Sequence, residues 1–399
     1  MKRVFFSPPD ITQAEIDAVT EVLRSGWITT GPRTQAFEES LASFLNVSRV
    51  VCMNSATAGM EMILRYWGIG PGDEVITTPL TFAATVNVIL HVGAKPVLVD
   101  IEPGTYHLSP ALVEKAINRR TKAILAVDYG GWPADYERLL AIAQQKSHLF
   151  HPKKNTPQTW LGRVLVMADA AHSLGATYHG KKVGSVADVS VFSFHAVKNL
   201  TTAEGGCISW SNILSPYEEK LERGLRLLML HGQNKDARQK YEGGNWRYDI
   251  ELPGYKCNLP DIAAAIGLSQ LKRYDAMLSR RKQYFQMYNE ALKTNERVSP
   301  PFHPPWNNET SYHLYPLQVE AERRDQIIQE LAHLGIQANV HFIPIYKHPA
   351  YRFLRLSERQ FPVTEHFYQR EISLPLSSAH TPDDITTVIE GIQETLKKL

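Results

Sequence analysis

Cysteine is scarce in this 399-residue chain. Cys52, Cys207 and Cys257 are isolated and odd in number, which argues against a disulfide framework or a paired-thiolate zinc site. The 15 histidines include no His-Glu-x-x-His pattern, so the zinc-hydrolase motif is missing too. No apolar run approaches the roughly 18 residues that a membrane-spanning helix needs. An excess of one charge is also lacking: 43 Lys plus Arg against 41 Asp plus Glu leaves +2. That balance offers no electrostatic footprint for nucleic acid or for an anionic membrane. The glycine-rich stretch Gly68-Ile69-Gly70-Pro71-Gly72 precedes a strand instead of opening a helix, so it is no dinucleotide fingerprint. Near the start, Lys2 and Arg3 are followed by Pro8 before any signal-peptide core forms. A cytoplasmic enzyme is the expectation, and the length suggests two or three domains.

What is present is alternation. Apolar strands at Val50–Met53, Glu74–Thr77, Pro96–Val99, Ala123–Val127 and Val164–Met167 are separated by helical stretches at Thr57–Tyr66, Thr81–His91, Ala111–Ile117 and Tyr136–Gln145. Continuous apolar strands with helices between them are what a parallel sheet covered on both faces requires. This predicts an α/β fold with a large three-layer domain over residues 1–245. Further strands are expected near Val189–Phe194 and Gly206–Trp210. Lys146–Gly162 reads as a polar, mobile surface excursion, and His231–Glu251 as a long functional loop. Asp261–Arg281 reads as one helix, with Asp261 in its first turn where the macrodipole favours an anion. Residues 246–399 are expected to form a smaller α+β domain with strands His313–Val319 and Gln337–Phe342, a helix Arg323–Leu334 and a terminal helix from Pro382.

Four features carry chemistry. In Ser193-Phe194-His195-Ala196-Val197-Lys198-Asn199, a lysine follows a strand among small and aromatic residues. Partial desolvation there lowers its pKa, as an amine needs in order to attack a carbonyl and hold it as an imine. An exposed strand-end lysine is the commoner alternative. Asp169, in Met167-Ala168-Asp169-Ala170-Ala171-His172, ends the preceding strand, and parallel strand ends converge on one rim. A carboxylate there can keep a pyridine nitrogen protonated and make the ring an electron sink, or it can simply cap a turn. Asn54-Ser55-Ala56-Thr57-Ala58-Gly59 joins a strand to a helix, where small residues and the helix N-terminus suit a phosphate; ordinary capping by Ser55 or Thr57 competes with that reading. Phe82 opens another helix on the same rim and either stacks on a planar ring or belongs to the core. Together these are the four needs of pyridoxal phosphate.

From end to end the sequence resembles the DegT-type nucleotide-sugar aminotransferase family, with its aspartate-aminotransferase (fold type I) architecture. The resemblance rests on Ser25-Gly26-Trp27-Ile28-Thr29-Thr30-Gly31-Pro32, the Asn54–Gly59 and Ser193–Asn199 motifs, Gly72-Asp73-Glu74-Val75-Ile76-Thr77 and Asp169-Ala170-Ala171-His172-Ser173. It continues in Thr202-Ala203-Glu204-Gly205-Gly206 and Gly254-Tyr255-Lys256-Cys257-Asn258-Leu259. The resemblance implies a mixed, mostly parallel sheet and pyridoxal 5'-phosphate as cofactor. It implies Lys198 as the imine lysine and proton shuttle, Asp169 on the pyridine nitrogen, Phe82 stacked on the ring and His172 beside it. Ala56, Thr57 and Ser193 are expected on the phosphate.

Family enzymes are dimers whose sites borrow neighbour residues, commonly through a Gly-x-Asn-x-Arg motif. Here Lys256 and Asn258 stand in those places, as in a subgroup acting on 4-keto sugars, which leaves open which of them touches the phosphate. Family dehydratases carry histidine at the imine position, so Lys198 implies transamination, with L-glutamate the usual donor to C4 of a UDP-linked sugar. Tyr312-His313-Leu314-Tyr315-Pro316 and Val340-His341-Phe342-Ile343-Pro344-Ile345-Tyr346 resemble enzymes of the pseudaminic-acid route, which aminate a UDP 4-keto-6-deoxy-N-acetylhexosamine. Asn245-Trp246-Arg247-Tyr248 resembles spore-coat polysaccharide aminotransferases instead; the first likeness is favoured. Thr29, Thr30, His341 and Tyr346 are substrate candidates by family position. Arg247 and Lys256 are candidates by charge, and Glu204 is a further one.

Overall fold

Strands without a polar face need cover on both sides, and here they find it. The computed structural model describes residues 3–235, 246–304, 306 and 308–399. Its strands are β1 (Val50–Met53), β2 (Glu74–Thr77), β3 (Lys95–Leu98), β4 (Thr121–Val127), β5 (Leu165–Asp169), β6 (Thr177–Tyr178), β7 (Lys181–Lys182), β8 (Val189–Ser193), β9 (Gly206–Trp210), β10 (Asn308–Glu309), β11 (Tyr315–Gln318) and β12 (Glu371–Leu374). Seven of them form one sheet in the order β1-β9-β8-β5-β4-β2-β3. β9 runs antiparallel to both neighbours, while the β8-β5-β4-β2-β3 pairings are parallel. All residues of β1, β2, β4, β5 and β9 are buried.

Phe37, Leu41, Tyr136, Leu139 and Tyr274 pack in a core that includes Cys52, Ile124 and Val166. Met60, Ile63, Trp67, Val88 and Leu221 pack in a second, with Val51, Leu125 and Met167. The alternation of neighbouring strand residues between two cores is the three-layer arrangement expected from the sequence. A third core gathers Tyr284, Tyr288, Leu317, Leu331, Ile372, Val388 and Ile392 around the antiparallel β11–β12 pair, as an α+β unit should.

The structure corrects several expectations. Asp261–Arg281 is two helices, Asp261–Leu271 and Tyr274–Leu292. The chain leaves helical geometry at Arg273, whose guanidinium pairs with Asp10 at 3.1 Å and Glu15 at 3.2 Å. Asp261 does occupy a first turn, but its carboxylate serves a different helix. It accepts from the backbone N–H groups of Gly31 (2.8 Å), Thr34 (2.9 Å) and Arg33 (3.0 Å), capping Pro32–Leu45, whose own N-cap, Gly31, has no side chain to offer.

No strand forms over 337–342. The Val340 N–H bonds to Asn339 Oδ1 and the His341 N–H to the Glu371 carboxylate, each at 2.8 Å, leaving a single bridge between Asn339 and Ser373. The 146–162 excursion is anchored rather than loose: Gln158 is buried and donates to the Trp67 carbonyl at 2.9 Å, and Trp160 stacks on Tyr217. Of the predicted 231–251 loop, residues 236–245 lie outside the described residues. Among the described residues no helix is long and apolar enough to cross a membrane.

Candidate active site

The C-terminal ends of β5 and β8 and the start of the helix after β1 open onto one cavity of about 350 Å³. Ala56, Thr57, Phe82, Asp169, His172, Ser193, Lys198, Glu204 and His341 all line it. Both parallel strands end there, with Asp169 beside Val191, and the carboxyl edge of an α/β sheet is where such folds bind ligands.

Asp169 is the last residue of β5 and is buried. Its Oδ2 accepts the Thr85 hydroxyl at 2.7 Å, and its Oδ1 accepts the Ala171 N–H at 3.3 Å. Burial raises its pKa, against the two hydrogen bonds and the charge of Lys198. Lys198 lies beyond β8, in a turn closed by its N–H bonding to the His195 carbonyl at 2.9 Å. Burial lowers its ammonium to about 8, with Asp169 opposing the shift. At neutral pH roughly one amine in ten is then unprotonated, against fewer than about one in a thousand for an ordinary lysine.

The helix Ala56–Tyr66 presents its first turn to the cavity. Ser55 caps it by accepting the Ala58 N–H at 3.1 Å, which leaves the Ala56 and Thr57 N–H groups as orphan donors for an anion. Gly206 lies alongside, where a Cβ would meet Ala56 N at 2.5 Å and the Phe192 carbonyl oxygen at 2.7 Å. Phe82 N-caps the helix Ala83–His91 and is 64% exposed, with its ring 6.1 Å from that of Phe342.

The rest of the wall is imidazole and aromatic. His172 accepts the Gly130 N–H on Nδ1 at 3.1 Å and lies 4.3 Å from the His313 ring. Burial drives both imidazoles well below their ordinary pKa and His341 to about 3. All three rings are therefore uncharged at neutral pH.

Apart from Glu204, the remaining candidates are not in this wall. Lys256, Asn258 and Thr30 form a chain of hydrogen bonds: Lys256 Nζ donates to Asn258 Oδ1, and Asn258 Nδ2 to Thr30 Oγ1 at 2.6 Å. Thr30 lines a separate cleft with Arg49 and Arg226. Thr29 is exposed and accepts the Asp261 N–H on its carbonyl. Arg247 is exposed with its guanidinium over the Trp246 ring. Tyr346 donates to Glu365 at 2.7 Å and stacks on Phe361. Glu204 reaches the cavity rim and sits 3.6 Å from His195. Sequence reasoning missed Thr85, His313 and Phe342 as parts of the site. The Thr81/Thr85 spacing, which lets the two hydroxyls meet at 2.6 Å, was the available signal.

These residues fit pyridoxal phosphate: a half-buried amine and a buried carboxylate share a cavity with an anion cradle that a single Cβ would fill. Fold and donor set together define a fold type I enzyme dependent on that cofactor. The family model of the DegT/DnrJ/EryC1/StrS aminotransferase family matches residues 9–393, and the chain belongs to this family. It is 39% identical to the spore coat polysaccharide biosynthesis protein SpsC of Bacillus subtilis, over 98% of this chain and 97% of that one. Spr1654 of Streptococcus pneumoniae, assigned as a sugar aminotransferase and solved in its PMP form, superposes with a TM-score of 0.94 at 43% identity, covering 99% of each chain. Helicobacter pylori PseC, an aminotransferase involved in the biosynthesis of pseudoaminic acid, superposes with a TM-score of 0.88 at 31% identity over the whole of both chains.

Proposed function

We propose that this protein transfers the amino group of L-glutamate to the C4 keto carbon of a UDP-linked 4-keto-6-deoxy-N-acetylhexosamine. The product is a 4-amino sugar nucleotide for a surface polysaccharide or a pseudaminic-acid-type glycan. The observation that carries the reading is the pairing of Lys198 and Asp169 in one cavity of a chain that matches a sugar aminotransferase such as PseC from end to end.

Bound there, pyridoxal phosphate supplies an aldehyde for the amine and a ring that accepts the electron pair released at carbon. The chain does the rest. Lys198 Nζ, kept partly neutral by burial, would hold the aldehyde at rest and, once an incoming amine displaces it, would serve as the base that carries the proton. Asp169, oriented by Thr85 and the Ala171 N–H, keeps the ring nitrogen protonated. Phe82 covers the ring, with His172 beside it, and Ala56, Thr57 and Ser193 hold the phosphate. Neutral His341 hydrogen-bonds the sugar, while Glu204 and Arg247 border its path. The protein works in the cytoplasm as a homodimer. Lys256 and Asn258, joined to Thr30 away from this chain's cavity wall, reach the neighbour's phosphate.

A second reading, a keto-sugar nucleotide destined for a coat polysaccharide, is favoured by the higher identity to SpsC, 39% against 31% to PseC. One assay tests both. The holoenzyme is incubated with L-glutamate and a panel of 3-keto and 4-keto sugar nucleotides, and the products are weighed by mass spectrometry. Amination of the 4-keto-6-deoxy-N-acetylhexosamine is expected; turnover of 3-keto sugars alone sinks the assignment.

A further inference from the structure

One buried acid next to the cavity has no part in the reaction described so far. Glu371 begins β12, is fully buried, and is tied to His341 twice. Its Oε2 accepts the His341 backbone N–H at 2.8 Å. Its Oε1 meets the Ser373 hydroxyl at 2.5 Å, and the same hydroxyl lies 2.8 Å from His341 Nδ1. His341 Nε2 has no partner among the described residues, and the ring lines the cavity.

The Ser373 hydroxyl carries one proton, so the direction of the chain is decided at its ends. An ionised Glu371 can only accept. Ser373 then donates to it, His341 Nδ1 must donate to Ser373, and Nε2 is left with a lone pair. A protonated Glu371 reverses the two bonds through Ser373. Its proton falls on Oε1, because Oε2 already accepts the His341 amide. Ser373 donates to Nδ1, and Nε2 carries the hydrogen.

We propose that Glu371 and Ser373 are positioning residues that set which tautomer of His341 faces the sugar, and so whether Nε2 donates to or accepts from it. Burial holds the Glu371 carboxyl up at about 8, so at neutral pH Nε2–H is a donor, suited to a keto or hydroxyl oxygen. The groups facing Glu371 are Tyr129, Tyr106 and Arg324; those facing His341 are Lys198, His172 and His313. Because His341 itself stays uncharged, the switch is one of tautomer and not of charge.

The inference rests on the sugar occupying this cavity, so its test begins with a readout that needs no sugar. Full-length holoenzyme labelled with ¹⁵N-histidine is followed by NMR from pH 6 to 10, with His341 assigned by its loss in His341→Gln. The expected result is an Nε2–H tautomer that converts to Nδ1–H as pH rises through about 8. In Glu371→Gln the amide NH₂ replaces the carboxyl proton, so the Nε2–H form should persist across the range. Ser373→Ala should remove the pH step with the carboxyl still present, and it serves should Glu371→Gln fold poorly. A pH-independent wild-type tautomer, or a step that survives in Ser373→Ala, overturns the proposal.

In kinetics, the wild-type KM for the keto sugar should rise about tenfold above pH 8, the scale of one hydrogen bond, and stay flat in Glu371→Gln. The glutamate half-reaction should follow the same pH course in both. A tautomer step in an enzyme that turns over no keto sugar overturns the proposed reaction and leaves the relay standing.

Discussion

Thr85 donates its hydroxyl to Asp169 Oδ2 at 2.7 Å, from the first turn of the helix that Phe82 caps. The same helix start thus presents a ring at the cavity mouth and holds the carboxylate at its floor. A hydrogen bond to a charged group contributes about 1.5–3 kcal/mol, and this one lowers the pKa that burial raises. Thr85→Val should therefore push Asp169 toward its protonated form. The sign follows: a carboxyl with a higher pKa is ionised only at higher pH, so the acidic limb of the rate profile should move to higher pH. Thr85→Ser, which keeps the hydroxyl, should restore it. An unmoved acidic limb in Thr85→Val excludes a role for this bond.

Lys198→Ala removes the amine and should abolish the visible band of the bound cofactor while circular dichroism stays unchanged. The fold should tolerate the loss, because Lys198 forms no salt bridge among the described residues and its burial disfavours its own charge. A normal band in the variant would show that another group holds the aldehyde.

The lowered pKa of Lys198 gives a pH prediction. Stripped of cofactor and then mixed with pyridoxal phosphate, the protein should capture the aldehyde faster as pH rises, levelling above about 8, where the amine is mostly neutral. Asp169 raises the Lys198 pKa, so Asp169→Asn should shift that midpoint lower. The same variant should retain cofactor yet lose about 100-fold or more in turnover, the scale of a removed electrostatic partner. Near-normal turnover contradicts the pyridinium role.

Much of this architecture was legible because apolar runs such as Ala123–Val127 admit little beside a strand buried on both faces. Lys198, Asp169 and Phe82 were legible as strand-end and helix-start residues, positions that topology forces onto one rim. β12 was not. Glu-Ile-Ser-Leu alternates like a half-exposed strand, yet Glu371 and Ser373 are buried, held by His341 from a segment that pairs only once with β12. Thr85 was hidden for a related reason: one threonine in an apolar helix reads as a helix residue until the carboxylate it serves is in view. Asp261 shows the converse, a correctly placed first-turn acid whose partner helix begins some 230 residues earlier in the chain.

If sites are shared across a dimer, a Lys198→Ala chain paired with a Lys256→Ala/Asn258→Ala chain should regain activity. Each mixed dimer then holds one intact site, with a good amine from one subunit and good phosphate contacts from the other. Neither parent homodimer should exceed a few per cent of wild type. Activity in verified mixed dimers no greater than in the parents argues that each chain serves its own phosphate.

Gly206 offers the sharpest test of the phosphate cradle, because the obstacle to a side chain there is backbone. An alanine Cβ would sit 2.5 Å from Ala56 N and 2.7 Å from the Phe192 oxygen and the Ser55 carbonyl carbon, none of which can rotate away. The strain must move either β9 or the first turn of the helix Ala56–Tyr66, at a cost of about 1–3 kcal/mol. Since that turn supplies the orphan N–H donors, Gly206→Ala should weaken pyridoxal phosphate affinity by about tenfold or more, while pyridoxal, which lacks the phosphate, should bind nearly as before. Parallel titrations of the two vitamers into the variant measure the difference. Equal losses for both would mean that Gly206 shapes the sheet and not the anion site.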